Sequence, residues 1–144
     1  MRVLHLGKFF PPYAGGIERF TALVLHALAA PHREAMRRDA PDRVAPELTQ
    51  AALVHATPGH PRHPRDWTDP LSGAQLREVA CHGRLLFAPL SPGWPLACQQ
   101  MLREFRPDLL HIHMPNPSAF WLLAMARARR PLTSATKPID RRLM

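Results

Sequence analysis

Long apolar runs, paired cysteines and lysine are what this 144-residue chain lacks. The longest uncharged stretches, residues 85–102 and 109–126, are interrupted by prolines and polar residues, so no continuously apolar run approaches the ~18 residues that a membrane span needs, which argues against an integral membrane protein. The apolar run Val3 to Leu6 is too short for the core of a signal peptide. Cys81 and Cys98 stand alone with no C-x-x-C spacing, so neither a disulfide framework nor a thiol redox motif is indicated, and a reducing, cytoplasmic setting is expected. Glycine-rich phosphate signatures of the G-x-G-x-x-G or Walker A kind are missing. So are a Ser-His-Asp or Cys-His set and any groove-reading pattern for nucleic acid.

Proline is plentiful, at 17 residues, against the ~5% of an average protein. The net charge of +8 invites a nucleic-acid reading, but most of it is local. Arg127, Arg129, Arg130, Lys137, Arg141 and Arg142 face Asp140 alone in the last 18 residues. Lysine occurs only as Lys8 and Lys137, so the cations are arginines, in keeping with a coding bias rather than a phosphate-binding face. No nucleic-acid partner is expected. The basic end admits peripheral contact with an anionic inner membrane surface.

The pattern along the chain is that of strands alternating with helices. Val3 to Leu6, closed by Gly7, reads as a buried strand. After the loop 8–16, Ile17, Phe20, Leu23, Val24, Ala27 and Leu28 recur at helical spacing up to about Ala30, where Pro31 intervenes. Residues 31–66 show no sustained period apart from the strand-like island Ala51 to Ala56. Strands are expected over Leu76 to Cys81 and Leu85 to Ala88, with a turn at His82-Gly83. A helix with Pro95 in its first turn and Leu96, Met101, Leu102 and Phe105 on one face should follow. Leu109 to His113 reads as another buried strand. Asn116 suits an N-cap and Pro117 a first helical position, with Ala119, Phe120, Leu123 and Ala126 facing inward. Trp94, Phe120 and Trp121 read as packing residues, and His60-Pro-Arg-His63 as solvated loop. The fold class expected is α/β, a Rossmann-like, doubly wound and mainly parallel sheet with flanking helices.

Few residues could carry chemistry. Gly15-Gly16 lies between the first strand and the first helix, where backbone can approach a phosphate and helix amides point at it. The alternative is a tight turn needing positive φ. Glu18 and Arg19 open that helix; Glu18 suits the helix dipole. His111 and His113 share one strand face, as a metal-ligand pair without a following third ligand, as a hydrogen-bonding group at a crevice, or as structural histidines.

Four stretches together narrow the field. Met1 to Pro12 leads into Gly15-Gly16-Ile17-Glu18-Arg19; Leu85 to Pro92 precedes a helix; Arg106-Pro107-Asp108-Leu109-Leu110-His111-Ile112-His113-Met114-Pro115-Asn116-Pro117 closes the set. Over residues 1–130 the chain resembles the N-terminal, acceptor-side domain of family 4 retaining glycosyltransferases of GT-B architecture. The resemblance implies transfer of a sugar from a nucleotide-sugar donor to a glycan or lipid-linked acceptor, as in polysaccharide biosynthesis. It implies no required metal or other cofactor, because a basic pair and a helix dipole stabilise the leaving diphosphate. His113 would be the catalytic residue facing the transferred sugar, with Gly15, Gly16, Glu18 and Asn116 lining the donor and substrate crevice. The alternative is a stand-alone Rossmann-like binding module that acts with a separate partner chain.

The resemblance stops near residue 130, where a further strand and a second, nucleotide-holding domain are expected. Residues 131–144 read instead as an irregular basic tail, as after a frameshift or truncation, and this chain alone is not expected to transfer sugar. Translating the gene downstream of codon 131 in all three frames tests this. Another frame should resume with a strand, a histidine and a second Rossmann-like half; no continuation in any frame would favour the binding module.

Overall fold

The computed structural model describes residues 1–37, 48–57, 64–86, 88–122 and 124. In chain order these are β1 (Arg2–Leu6), α1 (Gly16–Arg37), β2 (Thr49–His55), β3 (Arg65–Thr68), β4 (Gln75–Val79), β5 (Arg84–Leu85), β6 (Ala88–Pro89), α2 (Trp94–Phe105), β7 (Leu109–Ile112) and a 3₁₀ turn, Pro117–Ala119. Five strands form one sheet in the order β3-β4-β2-β1-β7. All its neighbours are parallel except β3 with β4. The protein is therefore α/β, with a mainly parallel sheet flanked by helices. No described helix is long and apolar enough to cross a membrane.

Burial on both faces explains the composition of the central strands. Leu4, Leu6, Ala51, Leu53 and Val79 pack against Trp94, Ala97, Cys98 and Met101 of α2. Ala52, Val54 and Leu76, from the same strands, pack against Ala22 and Leu25 of α1. Alternate residues go to opposite helices, so both faces are buried and the runs are mostly apolar, with His5, Gln50 and His55 the buried polar exceptions. Neither Cys81 nor Cys98 is in a disulfide.

The structure departs from the sequence expectations in several places. Helix α1 does not stop at Pro31 but runs through it to Arg37. Proline removes one amide donor and one intrahelical bond, and the Arg33 guanidinium donates to the His26 carbonyl just upstream. Among the described residues no helix joins β2 to β4; the antiparallel β3 lies there, and its sequence Arg65-Asp66-Trp67-Thr68 is too polar to announce a strand. Its charges are used across the ladder. Asp66 accepts two hydrogen bonds from Arg77 (2.8 and 2.7 Å), which also reaches Glu104 of α2 at 3.0 Å. The β3–β4 turn is built on Asp69, whose carboxylate accepts from the Ser72 amide, with Gly73 in the left-handed region at φ 73°.

Leu85 to Ala88 is not one strand. Leu86 turns at φ 56°, and β5 and β6 pair antiparallel as a separate hairpin. Leu109 to Ile112 is the edge strand β7 rather than a buried one, and Leu109 is 51% exposed. Leu96, Phe120 and Trp121 face solvent instead of the core, because α2 buries its Trp94–Ala97–Cys98–Met101 face. The expectations for His60 to His63, for Leu123 and Ala126, and for the basic end lie outside the described residues.

Trp94 is fully buried, with its indole N–H unpartnered among the described residues. Trp94→Ala should lower unfolding free energy by ~3–5 kcal/mol in urea titration, through transfer and cavity terms. Trp94→Phe keeps a ring and deletes the unpaired donor, so its cost should stay below about 1.5 kcal/mol.

Candidate functional site

The order β4-β2-β1-β7 sends the chain away from β1 on one side and returns it on the other. The connections therefore part at the carboxyl ends of β1 and β7, the position where open parallel sheets leave a crevice. Two loops meet there. The His113 amide donates to the Leu6 carbonyl (3.0 Å), and Asn116 Nδ2 donates to the Gly7 carbonyl (2.9 Å). Asn116 is fully buried, and its Oδ1 accepts the Ser118 amide at 3.2 Å. Both ends of its side-chain amide thus hold the two loops together and cap the 3₁₀ turn.

The glycine pair opens α1. Neither Gly15 nor Gly16 has a positive φ, so the tight-turn account of the pair does not apply. A Cβ at Gly15 would collide with the end of the Glu18 side chain, which is buried against it in the helix's first turn, so a larger residue there would have to displace Glu18. Such an acid is favoured by the dipole at a helix start. A Cβ on Gly16 would meet nothing within 4 Å. Its Cα borders a cleft of about 240 Å³, lined by Gly16, Ile17 and Phe20 of α1 and by His111 to Met114 of β7 and its loop. Arg19 is exposed.

Three histidines crowd the β7 wall of this cleft. The parallel register pairs His5 of β1 with His111, and His113 follows two residues on, on the same face. Ring centroids lie 5.1 Å apart for His5–His111, 5.4 Å for His5–His113 and 4.3 Å for His111–His113. His5 Nδ1 and His113 Nε2 are 3.2 Å apart. Burial, reinforced by the neighbouring histidines, pushes His5 down to about 4; burial and His111 do the same to His113. Both rings are neutral at pH 7. His5 went unnoticed in the sequence because a third partner for the His111–His113 pair was sought after it. The partner precedes it, across a strand pairing that only the sheet order reveals.

A fourth histidine was also missed. His55 ends β2, fully buried, with Nδ1 2.8 Å from Ser91 Oγ and Nε2 3.0 Å from Ser118 Oγ. Its ring is stacked with Trp94 at 6.1 Å. It ties the loop before α2 to the turn after β7, so it shapes the crevice floor rather than facing its contents. Burial first, then Lys8, pushes its pKa down to about 3.

No family model, curated protein or solved structure matches this chain.

The His55 shift has a consequence for stability. The unfolded chain takes up a proton on this ring near pH 6.5, while the folded chain resists until about pH 3. The folded state therefore loses ground as pH falls through that window and is unaffected by this group above it. In denaturant titrations between pH 6 and 4 in the presence of a chelator, His55→Gln should flatten the decline by ~1.4 kcal/mol per pH unit, the value for one proton.

Proposed function

We propose that the described residues form the acceptor-side half of a GT-B glycosyltransferase, with a Rossmann-like sheet, and that the cleft between α1 and β7 receives the sugar during its transfer. The observation that carries this reading is the meeting of a glycine-floored helix N-terminus and a histidine at the one point where the sheet order reverses.

Each part has a task in that chemistry. The first-turn amides of α1 lack intrahelical acceptors and favour an anion, here the diphosphate leaving the donor. Open space at Gly16 lets a ligand come close to that backbone. Glu18, buried under Gly15, takes part of the dipole's field, so it shapes the loop as much as it touches substrate. His113, neutral at pH 7, hydrogen-bonds a sugar hydroxyl rather than supplying charge. Asn116 positions the loop that carries His113. A facing domain contributes the cations that neutralise the diphosphate, the larger part of the electrostatic work.

The rival reading, a binding module with a separately encoded partner, draws on the exposure of Leu109, Leu110, Ile112 and Met114 along the β7 edge. Backbone NMR of the ¹⁵N-labelled chain, titrated in chelator with UDP-, GDP- and ADP-sugars, separates the two. The glycosyltransferase reading expects shifts clustered at Gly15, Gly16, Ile17 and His113 with at least one donor. Gly16→Val should abolish them while the fold persists, since its side chain enters the cleft and not the protein. Silence with every donor, or shifts indifferent to Gly16→Val, would favour the binding module.

A further inference from the structure

The geometry points to a transition-metal site of three imidazoles, His5, His111 and His113, binding a borderline-soft divalent cation such as Zn²⁺ with one coordination position open to the α1–β7 cleft. One potential ligand atom from each residue lies within 4.8 Å of the other two. Tetrahedral Zn²⁺ with Zn–N bonds of 2.0–2.1 Å needs ligand atoms about 3.3 Å apart. The His5 Nδ1 to His113 Nε2 separation, 3.2 Å, already meets that spacing. His111 is only half-buried and borders the cleft, so a change of its ring torsions closes the remaining edges.

The surroundings have the character of a ligand shell. Gln50 is buried, and its Nε2 is fixed by the Leu25 carbonyl at 3.0 Å. Its Oε1 and His5 Nε2 are both buried without a hydrogen-bond partner of standard geometry among the described residues. An N–H at Nε2 turned to that oxygen leaves the Nδ1 lone pair aimed at His113, as an outer carbonyl orients a metal-bound imidazole. No carboxylate belongs to the cluster, so three neutral nitrogen ligands select Zn²⁺, Cu²⁺, Ni²⁺ or Co²⁺ over Mg²⁺ or Ca²⁺.

This inference is independent of sugar transfer. An ion held by His113 and a sugar held by His113 would draw on the same side chain, so the two uses compete there.

The test uses metal alone. The chelator-stripped chain is titrated with Zn²⁺ by calorimetry and with Co²⁺ by visible absorption. Expected are one Zn²⁺ per chain and the intense Co²⁺ bands of four-coordination. His111→Gln should weaken Zn²⁺ by more than the ~10–100-fold of a lost outer-shell partner, with an unchanged circular dichroism spectrum. A His60→Gln/His63→Gln double variant should bind as the parent does. Absent saturable binding, a six-coordinate Co²⁺ spectrum, or a loss of affinity confined to the double variant would overturn the site. If His111→Gln does not fold, the parent's Co²⁺ spectrum and the double variant decide.

Discussion

The parallel ladder between β1 and β7 is the constraint on which the rest of the molecule depends. It sets Leu4 beside Leu110 and His5 beside His111, and its continuation into the loops is held by the His113 amide on Leu6 and by Asn116 on Gly7. A slip of two residues would keep the faces but part His5 from His111; a slip of one would turn the histidines to the α2 side. The register is secured from within, because β1 is locked on its other edge to β2 through Leu4–Ala51 and Leu6–Leu53. With both neighbours of β1 fixed, the crevice at its carboxyl end has one geometry.

The site is electrically unusual for one offered to a phosphorylated ligand. Burial keeps His113 on its β7 wall and His5 behind it neutral, and the first turn of α1 already holds a buried acid at Glu18. Attraction for an anion comes from helix amides rather than from side-chain cations, a weak and short-ranged source. That distribution suits a half-site completed from across a cleft. It equally suits a metal, which asks for unprotonated nitrogen and tolerates a dry wall.

Secondary elements with strong local signals were legible. The expected runs 3–6, 51–56 and 109–113 are strand in the first case throughout and in the others up to His55 and Ile112, and Pro95 and Asn116 mark helical starts as their chemistry suggests. What failed has a common cause. Polar β3 earns its place by pairing Asp66 with Arg77 across the ladder, a partner eleven residues away that no local pattern announces. Pro31 stays helical because one missing bond near the end of a 22-residue helix is a local loss. Phe120 and Trp121 look like core residues by type, and only the packing of α2 shows that the core is filled without them.

By itself, the sequence determined that the chain is α/β, that a glycine-bearing loop opens the first helix and that two histidines share a face of the last strand. These follow from periods of 2 and 3.6 and from the stereochemistry of proline and glycine, all of them near-neighbour effects. Only the tertiary structure decided that His5 joins those two histidines, that Gly15 makes room for Glu18, and that Asn116 and His55 brace the crevice. Each of these pairs residues through the sheet order or a close contact, and strand order is set by the burial of whole faces rather than by any local run of residues.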